Sequence, residues 1–191
     1  MTRFHQALLI VSTLAFCWLA MQAVHELGHV LFAWLSGGIV ERVYLHPLAF
    51  SRTDLGANPH PLAVAWGGAV VGCLLPLLIW VVVRAVWRSQ SYLAAFFARF
   101  CLIANGAYLV GGSFFGEGGG DDAGQILAKG GQQWQLIIFG VSAMAAGLYL
   151  CSGLGERFGL GPAGSQVDRR AAVVVAVAVV VIVGVELVFA C

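Results

Sequence analysis

The chain has 191 residues, of which 60% are hydrophobic and only 10% are Asp, Glu, Lys or Arg, whereas ordinary globular domains carry about 25% charged residues. Too little polar surface remains to cover a water-soluble exterior, so the composition excludes a soluble domain and leaves an integral membrane protein. A formal net charge of +1 without a basic stripe also excludes a nucleic-acid partner, since nothing is arranged to neutralise phosphates.

A hydrocarbon core of about 30 Å is crossed by about 20 apolar residues in a helix, and five stretches reach that scale. The first runs from Phe4 to Leu35 and is closed by Gly37 and Gly38. Leu19-Ala20-Met21-Gln22-Ala23 has some character of a cleavage site, but the apolar pattern continues past it to Leu35, which favours a retained span over a signal peptide. From Gly38 to Phe50, β-branched and aromatic residues mix with charge, predicting a short interfacial strand or hairpin held at its far end by Pro47. Ser51 to Pro61 is polar and turn-rich and reads as loop. The second span is Leu62 to Trp87, where Pro76 predicts a kink because its ring clashes with the preceding turn. The third is Tyr92 to Gly112, with Arg99 and Asn105 expected to face the bundle rather than lipid. Gly111 to Gly131 is the most irregular piece. The fourth span is Trp134 to Leu150. The fifth, Ala171 to Ala190, is almost entirely Val and Ala, with Glu186 near its end and so expected at the interface.

The expected fold is therefore an all-α polytopic membrane protein of about five transmembrane helices, with a short interfacial β segment after the first. It reads as a single transmembrane domain, 1–191, with a metal-binding core at 4–150 and an additional C-terminal helix at 171–190. Cys17, Cys73, Cys101, Cys151 and Cys191 are scattered singly through apolar stretches. They form no disulfide framework or thiolate zinc cluster and read as small buried hydrophobes. The six tryptophans fit packing or interfacial-belt positions.

The chemistry is concentrated in His25-Glu26-Leu27-Gly28-His29. Residues four apart on a helix stand about 6 Å apart along the axis, on one face. Both imidazoles can then reach one zinc ion, and Glu26 beside them can take a proton from a water that the metal has acidified. Two histidines and a carboxylate inside an apolar helix are costly unless something compensates them, which argues against an incidental occurrence. A catalytic zinc usually has three protein ligands. Asp121, Asp122, His46 and His60 are the candidates for the third, with Glu117 behind them. The chain crosses the membrane with its second span and returns with its third, so all of these lie on the side of His25 and His29.

With these residues in place, the sequence resembles the site-2 proteases, a family of intramembrane zinc metalloproteases. Their His-Glu-x-x-His motif is matched by His25, Glu26 and His29. Asp122-Ala123-Gly124-Gln125-Ile126-Leu127 looks like the Asp-Gly-Gly-Arg-Ile-Leu form of their second motif, which implies Asp122 rather than Asp121 as third ligand. Gly67-Gly68 resembles the glycine-bearing turn between the two motifs. The departures are Asp121 in place of leucine, Ala123 in place of glycine and Gln125 in place of arginine. Asn105, a counterpart of the family's substrate-positioning asparagine, lacks the proline that usually follows, and no PDZ domain is recognisable.

The resemblance implies one Zn(2+) per chain and a membrane-protein or peptide substrate, unwound so that its backbone reaches the metal. The expected setting is the lipid bilayer of a bacterial cytoplasmic membrane. His46 and His60 are expected as auxiliary or substrate-contacting groups or plain loop residues, and Asp121 and Glu117 as groups that gate or feed the site or as parts of a plain polar loop. The alternative is a catalytically inactive zinc-binding membrane protein with a regulatory role; a transporter has no evident polar relay to support it. Arg3, Arg84, Arg88, Arg157, Arg169 and Arg170 share one side, against Arg42, Arg52 and Lys129 on the other. Positive-inside reasoning puts the former in the cytoplasm, whereas the family resemblance implies zinc nearer the cytoplasmic face, so orientation stays open.

Overall fold

The computed structural model describes residues 2–115, 120–150, 153–161 and 167–189. Glu117, Cys151 and Cys191 lie outside the described residues. Five helices are long and apolar enough to cross a membrane, as expected of a multi-pass protein. They are α1 (Thr2–Leu35), α2 (Pro61–Val86), α3 (Ser91–Phe115), α5 (Gln133–Leu150) and α6 (Arg169–Phe189), with a short α4 (Asp122–Ala128) between α3 and α5. A 3-10 turn, Gly155–Phe158, lies between α5 and α6.

The chain alternates direction through α1, α2, α3 and α5, and α6 then packs along α1. Ala171, Ala172 and Val175 meet Leu9 and Phe158 in one apolar cluster, and Ile182 meets Cys17, Ala20, Phe97 and Cys101 in another. Cys17, Cys73 and Cys101 are buried free thiols, serving as small hydrophobes. A third cluster joins Ala65 and Ala69 of α2 to Leu109 of α3, Ala123 and Ile126 of α4 and Leu136 of α5. This last cluster roots α4.

Two local features differ from the sequence reading. The polar stretch after Ser51 is not all loop: β1 (Val40–Tyr44) pairs antiparallel with β2 (Arg52–Leu55), placing Val40 opposite Leu55, Arg42 opposite Asp54 and Val43 opposite Thr53. β2 has only four residues and no apolar alternation to announce it. In the glycine-rich stretch, α3 continues to Phe115 and α4 forms at Asp122. The cause of the second is a cap: extended Asp121 accepts a hydrogen bond from the Gly124 N–H at 2.8 Å, satisfying one of the free donors of the first turn. Gly130 then takes a positive φ of 93°, which ends the segment at low steric cost. As the second span required, α2 runs on through Pro76, which is buried. Glu186, near the end of α6, is 2% exposed. Arg99 and Asn105 are buried, as their place in the third span required.

The contact that positions the site is between backbones. A Cβ on Gly67 would come 2.7 Å from the Gly28 carbonyl oxygen, and a Cβ on Gly28 would overlap the Gly67 carbonyl. Small residues allow such close approach, and in lipid helix association rests on close packing of this kind. Gly28→Ala should therefore force α1 and α2 apart and lower stability by about 1–3 kcal/mol, the usual cost of overpacking. Thermal melting of the purified protein in detergent, with Leu78→Ala on the exposed face of α2 as control, measures it.

Candidate metal centre

Helical spacing brings His25 and His29 to one face of α1, their ring centroids 5.0 Å apart. Each has one nitrogen engaged by a buried acceptor. His25 Nδ1 lies 2.7 Å from Asn105 Oδ1, and the Asn105 amide is oriented by donation of its Nδ2 to the Cys101 carbonyl at 2.9 Å. His29 Nδ1 lies 2.8 Å from the Val64 carbonyl oxygen. A carbonyl oxygen only accepts, so both Nδ1 atoms carry a proton and both Nε2 atoms face into the site, where any proton they hold points at the third group and is given up when a metal binds.

Asp122 completes the group. Its Oδ2 is 2.6 Å from His25 Nε2 and its Oδ1 is 3.3 Å from His29 Nε2. Among the described residues, His25, His29 and Asp122 are the cluster whose donor atoms all lie within 4.8 Å of one another. Burial alone would raise the Asp122 carboxyl; hydrogen bonds from the two imidazoles and their charge outweigh that and hold it well below the usual carboxylate range. The triad thus offers an ionised carboxylate. The donor set fits zinc, which takes imidazole nitrogen and carboxylate oxygen together.

The space fits as well. A Cβ on Gly68 would overlap His29 Nε2 and stand 2.6 Å from His25 Nε2, so α2 presents bare backbone where the donor atoms converge. One helical turn on, a Cβ on Gly72 would stand 2.8 Å from Asn105 Oδ1. The glycines of α2 make room for both the ligands and the residue that orients one of them.

Glu26 is 3% exposed, and both of its oxygens are occupied. Oε1 accepts from Ser51 Oγ at 2.7 Å and Oε2 from Thr53 Oγ1 at 2.6 Å. The Ser51 N–H donates to Gln22 Oε1 at 2.9 Å, so the hairpin is tied to two successive turns of α1. A cavity of about 740 Å³ opens over Glu26, the imidazoles, Asp122, Tyr108 and the β2 segment. The Tyr108 ring stands edge-on to His25, centroids 5.9 Å apart.

The structure separates the remaining candidates from the triad. His46 stacks on Tyr44, with centroids 6.3 Å apart, and its Nδ1 accepts from the Leu48 N–H. His60 is exposed at the start of α2. Asp121 lines the cavity but caps α4. Gln125, one of the departures from the motif, accepts from Lys129 Nζ at 2.7 Å, and Ala123 is fully buried in the apolar cluster under α4. Neither departure falls on a donor atom.

Sequence reasoning missed Ser51, Thr53 and Gln22. The spacing of Ser51 and Thr53, two residues apart and so on one side of an extended chain, was the available signal. Compared with known protein families, curated proteins and solved structures, the chain matches none. Its reading therefore rests on its own geometry, which brings two imidazoles, a carboxylate and a second, hydrogen-bonded carboxylate to one cavity among apolar helices. That arrangement is consistent with a membrane-embedded, zinc-dependent catalytic site. The triad is consistent with the active site of a zinc protease.

Zinc content and affinity should separate the roles. His25→Ala, His29→Ala and Asp122→Asn should each weaken zinc binding by more than about 100-fold, and Asn105→Ala by about 10–100-fold, the range for a group that orients a ligand. Gly68→Ala should also lose the metal. His46→Ala, His60→Ala and Asp121→Asn, which keeps a capping side chain, should stay near wild type. Elemental analysis with competitive titration at fixed pH measures all of these.

Proposed function

We propose that this protein is an intramembrane zinc metallopeptidase that hydrolyses peptide bonds in or near the membrane-spanning part of a protein substrate. It would use one zinc ion per chain, held by His25, His29 and Asp122. The observation that carries the proposal is the placing of Glu26 one residue from His25 on α1, in the same buried cavity as the converging donor atoms.

When bound, zinc would polarise the scissile carbonyl and acidify the attacking water. The rest falls to side chains of this chain. Glu26 takes the proton from water as general base and delivers it to the departing amine as general acid. Ser51 and Thr53 fix the direction of its carboxylate. Asn105 and the Val64 carbonyl hold the imidazoles in the required tautomer, and the apolar helices around the cavity exclude bulk water from the reacting groups. A substrate helix hides its carbonyls in its own hydrogen bonds, so it must unwind to be cut. Arg52 to Gly56 line the cavity, and an unwound segment can satisfy its backbone groups by pairing beside β2. The catalytic core in this reading is 4–150, with α6 as an added helix.

One observation favours a second reading. A Glu26 whose two hydroxyl bonds merely anchor the hairpin would belong to a catalytically inactive zinc protein with a binding or regulatory role. Glu26→Gln decides between them, because it keeps the shape and one acceptor oxygen. In the peptidase reading it retains most zinc yet loses about 100-fold or more of the cleavage rate on reconstituted membrane peptides. Wild type that cleaves nothing across a broad panel, with Glu26→Gln indistinguishable from it, establishes the second reading.

Thr53 gives a further test. Thr53→Val removes the hydroxyl with little change of shape and should lower kcat by about 10-fold, the loss of one hydrogen bond to a charged group, while KM stays put. Thr53→Ser should restore the rate. Steady-state kinetics on any cleaved peptide measures both.

A further inference from the structure

At the opposite end of the bundle from the metal centre, a second recess of about 230 Å³ collects four arginines. Arg84 comes from the last turn of α2 and Arg88 from the turn after it. Arg99 comes from α3, and Arg157 from the 3-10 turn before α6. None of the described lining residues is an aspartate or glutamate. Asp168, close by, is committed elsewhere: it accepts from Gln90 Nε2 at 3.1 Å and from the Arg170 and Ala171 N–H groups at the start of α6. Glu156 precedes Arg157 but does not line the recess.

The arrangement is organised around one indole. Arg99 Cζ lies 5.4 Å and Arg84 Cζ 5.9 Å from the Trp80 ring centroid, within the range of cation–π attraction. That attraction holds two guanidinium groups beside the same ring, where their mutual repulsion would otherwise spread them. Arg99 is 8% exposed, a fixed cation at the floor of the recess. Arg84, Arg88 and Arg157 are exposed at its rim, with Tyr92 and Ser91 also lining it.

We infer that this recess is a binding site for a phosphate group, and that its natural source is the headgroup of an anionic phospholipid. Guanidinium forks match phosphate oxygens in a two-point geometry. The recess sits where α2 ends and α3 begins, at the rim of the apolar slab, the level at which phospholipid phosphates stand. Beside it, Leu78, Val81, Val82 and Val86 of α2 are exposed, a surface for an acyl chain below the headgroup. The recess also lies at the end of the bundle that carries the excess of arginine, where anionic headgroups are attracted. A free phosphate compound would meet the same guanidinium groups at the rim.

The test uses the full chain purified in detergent and in nanodiscs. Retention of phosphatidylglycerol and phosphatidylcholine is read by native mass spectrometry, and inorganic phosphate at millimolar concentration serves as competitor. Wild type should retain phosphatidylglycerol in preference to phosphatidylcholine. Arg84→Gln with Arg157→Gln should weaken that retention by about tenfold or more. Arg169→Gln with Arg170→Gln removes the same charge from the same side, outside the recess, and should change nothing. Arg84→Lys with Arg157→Lys keeps the charge, loses the fork and should fall between. If inorganic phosphate displaces the lipid, the site takes free phosphate compounds; if it does not, the lipid headgroup is the ligand. Equal retention of the two lipids with no phosphate binding, or equal losses in the two Gln pairs, overturns the inference.

Discussion

Two imidazoles buried in an apolar helix are tolerable only if each has a partner for its N–H, and the position of α2 and α3 follows from that requirement. The Val64 carbonyl reaches His29 because α1 and α2 touch backbone to backbone at Gly28 and Gly67. Asn105 reaches His25 because Gly72 leaves room for its amide. In lipid the gain from burying apolar surface between helices is small, so close packing and buried hydrogen bonds fix their separation. Here both act at the same three glycines. Donor geometry and helix packing are one constraint, and a change to either moves the other.

The same accounting extends to Glu26. A carboxylate at this depth, about 13 Å from the end of α1 at 1.5 Å per residue, needs donors, and Ser51 and Thr53 supply them. Hence the β-hairpin is drawn down from the interface onto α1 rather than lying free at the surface. The hairpin is at once a wall of the cavity and the group that aims the Glu26 carboxylate, so anything that engages β2 also acts on Glu26.

Much of this was legible in the sequence, and the limits have physical causes. Long apolar runs announce membrane helices because lipid leaves so few alternatives, and the five spans follow. The ends were less clear. Gly111 and Gly112 read as a boundary, yet glycines are tolerated inside membrane helices, and Gly112 there admits Asp121 and Ala123 against α3. β2 was hidden because three polar residues and one leucine carry no periodicity. At the site, His25, Glu26 and His29 are visible from local spacing, and Asp122 from the shape of its motif. The parts of Gly68, Ser51 and Thr53 depend on how helices cross, which local spacing does not encode. His46 and His60 looked equally available until β1 and the start of α2 carried them away from the triad.

Asp122, the candidate third ligand, rides on the shortest α-helix among the described residues. A seven-residue helix does not persist alone in water, so the pose of Asp122 is borrowed from its cap and from Ala123 and Ile126 seated on α2, α3 and α5. Ion binding and the docking of α4 are therefore thermodynamically linked: each stabilises the other by the same free energy. A chelator acting on this protein does more than empty a site. In the proposed holo protein it would also withdraw the clasp that fastens α4, while the spanning helices stand. Apo and holo forms then differ less in their membrane architecture than in whether the cavity has a wall on that side.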